Sequence, residues 1–256
     1  MKYILILVLF LSIVGCSSKV ISPSLEKNTT VMLEADEEDE FEDEFEETNK
    51  EVYDPLEGYN RWMTSVNDTL YMNVLNPIAK GYAFVLPQPA RKGVSNVFHN
   101  LKFPLYFTNN VLQLKLDGSM RELARFMINS TIGVLGIFDV ATSAGIKSAE
   151  EDFGQTLGYY GVGSGIPLVL PLLGPSNIRD TLGLTVDTLA DPTSKGSLAY
   201  QKVDTTLDSV AIESVEMVNK VSLHLGEYEN LKKDALDEYT FFRDSYEQHR
   251  NKVINK

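Results

Sequence analysis

Serines, histidines and a single thiol are the groups in this chain able to do covalent or metal chemistry, and spacing decides which of them can. Ser164 lies in Gly161-Val162-Gly163-Ser164-Gly165, but a nucleophile elbow needs glycine two positions before the serine, where Val162 stands. Ser143 has Ala141 at the same place. Gly161 and Gly163 open a dinucleotide-like pattern whose third glycine position is Ile166. His99, His224 and His249 are isolated, with no metal-ligand spacing between any two, and read as surface or interface residues. No basic run interleaved with aromatics marks a nucleic-acid partner. The spacing therefore supports no catalytic site, no metal and no cofactor. What remains is Cys16, the sole cysteine, which has no disulfide partner in the chain.

The element that positions Cys16 reads as a secretory signal over residues 1–15. Lys2 supplies a positive start, Ile4 to Val14 an apolar core and Gly15 the small residue before a cleavage point. The core falls short of the roughly 20 residues that a spanning helix needs. Ile13-Val14-Gly15-Cys16 resembles the bacterial lipobox, in which the thiol is alkylated with diacylglycerol and the freed amine takes an N-acyl chain. An ordinary cleaved signal with a stray cysteine, or a weak membrane anchor, is the alternative.

Charge sets the next segment apart. Of the net −13 over 256 residues, −11 falls between Glu34 and Glu51, where 12 acidic residues face one lysine, Lys50, and −2 is left for everything else. Repulsion among like charges and low hydrophobicity predict a disordered tether over residues 16–52, with a mean reach of about 35 Å. It lacks the glycine and spaced ligands of a calcium loop. The rest, residues 53–191 and 192–256, is nearly neutral and relies on its own core, a partner or the lipid phase for stability.

Helical signals dominate that remainder. Asp54-Pro55-Leu56-Glu57 predicts a helix start with Asp54 as cap, running through Trp62 and Leu70, with a break and restart allowed at Asn76-Pro77. Leu86-Pro87-Gln88-Pro89 stops it before a helix at about 90–100. A further helix is expected over 105–116, ending at Asp117-Gly118, and Ser119 with Glu122 then predicts the cap of a helix reaching about Phe138. Leu123, Phe126, Met127, Ile128, Ile132, Val134, Leu135 and Ile137 make that helix apolar nearly all round, fit for a core or for lipid. From Leu157 to Gly174, five glycines and two prolines rule out one continuous helix or a central strand. The backbone of such an apolar loop must be satisfied by protein or by a water-filled cavity. After Pro192, helical spacing continues through Leu225, is interrupted at Gly226, and resumes through Leu231, Leu236, Tyr239, Phe242 and Tyr246.

Several motifs in one order resemble the MlaA/VacJ family of outer-membrane lipoproteins. They are Asp54-Pro55-Leu56-Glu57-Gly58-Tyr59-Asn60-Arg61, Pro87-Gln88-Pro89-Ala90-Arg91, Gly93-Val94-Ser95-Asn96, Phe126 to Gly133, Phe138-Asp139-Val140-Ala141, Glu151 to Gly158, and Leu173 to Asp180. The match is dense from Tyr53 to Asp191 and looser from Leu236 to Arg250. The tether and the helix at about 197–225 do not align with it.

The resemblance implies an all-α, ring-like protein within the outer membrane, with an amphipathic central channel. It implies no enzyme but a lipoprotein that removes misplaced phospholipid from the outer leaflet. A soluble periplasmic carrier of an inner-membrane ATPase system would receive the lipid, and a trimeric porin would stand beside the ring. A structural porin-associated lipoprotein without transport is the alternative. Tyr159, Tyr160, Gly161, Gly163, Ile166, Leu168 and Leu170 are then candidates for the channel and its rim. Arg61, Arg179 and Arg243 lie in matched motifs and either meet lipid phosphate or pair with Glu57, Asp180 and Asp244.

Overall fold

The computed structural model describes residues 52–194 and 206–256, so Cys16, the signal, the acidic tether and Val203 lie outside the described residues. Helix α1 (Glu57–Leu70) runs without a break through a π-helical turn (Tyr71–Leu75) into α2 (Asn76–Val85). The break that Asn76-Pro77 allows is not taken because the wider turn absorbs the proline: Asn76 N–H reaches back to the Tyr71 carbonyl, five residues away. Asp54 does not cap in the expected way either. Its carboxylate accepts from the Leu56 N–H at 3.0 Å, an Asx turn, and the helix begins at Glu57.

Helices α3 (Gln88–Leu101), α4 (Phe103–Leu112) and α5 (Leu116–Thr131) follow. The chain turns between α4 and α5 earlier than the glycine signal predicts, with Leu114 in the left-handed region at φ 58°. Gly118 is thereby inside α5, where a Cβ would overlap the buried Asn110 side-chain oxygen. Ser119 and Glu122 form no cap; both are buried. Helix α5 also stops at Thr131, not at about 138, and Val134 and Leu135 turn the chain at positive φ.

Short helices α6 (Val140–Ser143) and α7 (Phe153–Tyr159) lead into strands β1 (Pro167–Leu170) and β2 (Gly174–Asn177). The glycine-rich segment expected as a loop thus holds an antiparallel hairpin, pairing Leu168 with Ser176 and Leu170 with Gly174. Pro175 sits opposite Val169, whose N–H points away from β2 to Asn60, so the proline removes no ladder bond. Helix α8 (Ile178–Ala190) starts at the end of β2, with Asn177 accepting from the Asp180 N–H at 2.8 Å. The last helices are α9 (Thr206–Leu223), α10 (Glu227–Asp234) and α11 (Glu238–Ile254), with Gly226 at φ 87° making the expected interruption and a further break at Ala235. Helix α9 packs on α2 and α3, and α11 on α1, α7 and β2.

Packing is closest where α7 crosses α8. A Cβ on Gly154 would come within 2.6 Å of Asp180 Oδ1 and 2.7 Å of Arg250 Nη2, and one on Gly183 would collide with the backbone of Gly154. Glycine is required at both positions because backbone and ion pair occupy the space a side chain would need.

Candidate functional site

Polarity in this protein is arranged in reverse. Among the described residues the buried apolar set is small: Met63, Ala79, Leu105, Ala141, Val169 and Tyr239. Buried asparagines, carboxylates and arginines far outnumber it, while Phe84, Val85, Leu114, Leu116, Leu135 and Leu182 stand in the open, Phe84 at 93% exposure. Helix α5 shows the inversion within one element. Glu122, Arg125 and Asn129 line its inner face, and Met120, Met127 and, just beyond its end, Ile132 point outward. Large apolar side chains exposed in this number point to a contact with a partner or lipid. Among the described residues no helix is long and apolar enough to cross a membrane.

Polar side chains of the interior are used to tie backbone and helix ends. Asn60, with no exposure, donates to the Pro167 carbonyl at 3.1 Å and accepts from the Val169 N–H at 2.8 Å. Two helical turns later Asn67 repeats the device, donating to the Leu170 carbonyl at 2.9 Å and accepting from the Leu172 N–H at 2.8 Å. Helix α1 thus serves as a third strand for β1, which satisfies the backbone of the apolar segment from within the protein. Tyr239 of α11 closes the arrangement with bonds from its hydroxyl to Asp54 and from Asn60 to that hydroxyl.

A second network joins three helices through Arg250. Its guanidinium donates to Asp152, the cap of α7, at 2.6 and 2.8 Å and to Asp180, in the first turn of α8, at 2.9 and 3.0 Å. Burial pushes both carboxyls up, but the hydrogen bonds from Arg250, and from Arg179 to Asp180, outweigh it and hold both below the usual range. Asp187 goes the other way. Burial raises it to about 6 against hydrogen bonds from the Phe153 N–H and Asn109. On α5, Arg125 bonds Asp139, Thr142 and the Ile146 carbonyl, and bonds from Thr142, Arg125 and Asn129 overcome burial to bring Asp139 down to about 2.

Two cavities flank the hairpin. One, of about 260 Å³, is apolar and lies between α1, the π turn, the hairpin tip and α10–α11; Tyr71, Leu75, Val169, Pro175, Tyr228 and Phe242 are in its wall. The other, of about 250 Å³, is of mixed character: most of its wall is apolar, with Val52 and Pro167 in it, and Ser164, Ser176, Arg243, Asp244 and Glu247 supply polar groups.

The expected site residues fall unevenly against these cavities. Val169 faces the apolar one; Leu168 and Leu170, its neighbours in β1, are half-buried and absent from that wall, as strand alternation requires. Ile166 is half-buried; Gly161 and Gly163 are exposed. Tyr160 is exposed, its hydroxyl donating to the Leu112 carbonyl at 2.6 Å, and Lys115 stands 6.0 Å from the Tyr159 ring centroid. Each arginine takes the neighbour that spacing offers. Arg61 pairs with Glu57 at 2.8 Å and also with Asp237 at 2.7 Å, Arg179 with Asp180 at 2.8 Å, and Arg243 with Asp244 at 2.7 Å. Arg179 is buried and bonded further to the Val162 carbonyl; Arg243 lines the mixed cavity. Sequence reasoning missed Asn60, Asn67, Val169, Asp187 and Arg250. Asparagines inside amphipathic helices were the available signal, since asparagine is a poor interior helix residue unless its amide has a partner.

These features define a mostly helical protein with many buried polar side chains, many exposed apolar ones, and one apolar and one mixed cavity beside the hairpin. The family model described as MlaA lipoprotein matches residues 52–253, and the chain belongs to that family. It is 35% identical over 205 residues to a protein of Rickettsia bellii, covering 80% of this chain and 78% of that one. It is 32% identical over 206 residues to the intermembrane phospholipid transport system lipoprotein MlaA of Escherichia coli K12, covering 79% of this chain and 78% of that protein. A solved chain from work on the structural basis for maintenance of bacterial outer membrane lipid asymmetry matches with a TM-score of 0.67 and 32% identity, covering 79% of this chain and 99% of that one.

Proposed function

We propose that this chain is an outer-membrane lipoprotein of intermembrane phospholipid transport, which takes misplaced phospholipid from the outer leaflet and hands it to a soluble periplasmic carrier. The observation that carries the reading is the reversed polarity: leucine, phenylalanine and methionine side chains face outward around a hydrogen-bonded polar interior. Such a surface is at rest in lipid, and a polar interior gives a charged headgroup a route past acyl chains. The protein performs transport without bond-making chemistry.

In this reading Cys16 carries the covalent lipid that delivers the chain to the outer membrane, and the helical body forms a ring around an amphipathic channel. A trimeric porin stands beside it, and an inner-membrane ATPase system draws lipid from the carrier. Tyr159, Tyr160, Gly161, Gly163, Ile166, Leu168 and Leu170 belong to the rim, where substitution alters lipid flux more than protein abundance. A clean deletion is expected to raise outer-leaflet phospholipid and detergent sensitivity. Unchanged leaflet composition would contradict transport and favour a purely structural, porin-associated role.

A further inference from the structure

We propose that the mixed cavity bearing Arg243, Asp244 and Glu247 is a socket for the phosphate and amine of a zwitterionic phospholipid headgroup, and that the neighbouring apolar cavity along α11 receives part of the same molecule's acyl chain. This rests on the phospholipid-transport reading above and adds a headgroup preference to it. Helix α11 forms a wall of both cavities. Its Tyr239 and Phe242 face the apolar one, and Arg243, Asp244, Tyr246 and Glu247 the mixed one. At 1.5 Å per residue, Tyr239 and Glu247 are separated by about 12 Å along the helix, a span suited to an amphiphile lying from chain to headgroup. The hairpin contributes to both, Val169 and Pro175 to the apolar cavity and, further along the same two strands, Pro167 and Ser176 to the mixed one.

Charge selects among headgroups. The socket holds one guanidinium, Arg243, and two carboxylates, Asp244 and Glu247, together with the hydroxyl-bearing Ser164 and Ser176. Arg243 donates to Asp244 through Nε at 2.7 Å, and Asn177 donates to Glu247 at 3.2 Å, so the acidic groups are anchored within the wall. A phosphate alone would gain Arg243 and be repelled by both carboxylates. A headgroup carrying phosphate and ammonium meets the guanidinium with one and a carboxylate with the other. Phosphatidylethanolamine has that chemistry; phosphatidylglycerol lacks the cation.

The test uses the full-length protein in vesicles of equal phosphatidylethanolamine and phosphatidylglycerol, followed by extraction and mass spectrometry of the lipid it retains. Wild type is expected to retain phosphatidylethanolamine in excess. Asp244→Asn and Glu247→Gln are expected to shift the retained ratio toward phosphatidylglycerol by roughly threefold to tenfold. Arg243→Met is expected to lower retention of both lipids, with partial recovery in Arg243→Lys. Glu247 also bonds Asn177, so a melting curve accompanies each variant, and Asp244→Asn tests the charge argument without touching that bond. Wild-type retention at the vesicle ratio, or a ratio unmoved by both carboxylate variants, overturns the headgroup socket while leaving transport standing. A wild type that retains no phospholipid overturns the socket and the transport reading together.

Discussion

Arg250 and Arg61 show how differently one residue type behaves in this fold. Arg250 is buried between Asp152 and Asp180, whereas the Arg61 side chain is 45% exposed beside Glu57 and Asp237. Removing Arg250 leaves Asp152 without its arginine and Asp180 with Arg179 alone, so Arg250→Met is expected to cost about 3 kcal/mol, and Arg61→Met no more than about 1 kcal/mol. Chemical denaturation of the two variants measures the difference. Asp187 predicts a pH dependence of its own. Its carboxyl is raised in the folded state to about 6 from 3.8, so the fold binds its proton more tightly than the unfolded chain does. Its destabilising contribution is absent below pH 3.8, grows as pH rises to 6 and is complete above that, amounting to about 3 kcal/mol. Asp152, Asp180 and Asp139 have the opposite sign: their stabilisation is present above the ordinary carboxyl range and fades as pH falls through their lowered values. Asp187→Asn should therefore flatten the fall in stability between pH 4 and 6 and leave the acid limb in place. An unaltered melting profile in that window would show that Asp187 is not the group responsible.

At the scale of elements, the hairpin depends on α1. Asn60 and Asn67 each supply two bonds to β1 or the turn after it, and they are the edge partners of a strand paired on its other side only with β2. Each Asn→Ala change is expected to cost about 1–3 kcal/mol. In the double variant, amide exchange at Val169 and Leu172 should accelerate, while exchange within α5 stays unchanged. Much of the helical layout was legible in the sequence because proline and glycine act locally: Pro87 and Pro89 mark the start of α3, and Gly226 separates α9 from α10. What escaped depends on tertiary contact. Gly118 looked like a helix end, but packing against Asn110 places it within α5 and moves the turn to Leu114. Counting apolar residues in α5 hid the stripe of Glu122, Arg125 and Asn129, which is three and four residues apart and forms the buried face. The glycine content concealed a strand, in which Val169 faces the apolar cavity while Leu168 and Leu170 point to the other side.

For the whole molecule, Phe84, Leu135 and Leu182 stand exposed while asparagines are buried among hydrogen-bond partners; under the proposed function each group then faces the medium in which it is least costly. Membership of the MlaA lipoprotein family gives that surface a context. Under the proposal above, the cavity bearing Arg243, Asp244 and Glu247 and the apolar cavity beside it are where an amphiphile would lie. The central claim is that the chain moves phospholipid, and the most direct measurement is transfer of labelled phospholipid from vesicles containing the full-length protein and a porin to the soluble periplasmic carrier. The account predicts that the carrier becomes loaded at a rate well above that from protein-free vesicles. Loading at the protein-free rate, with the protein folded in the bilayer, would contradict it.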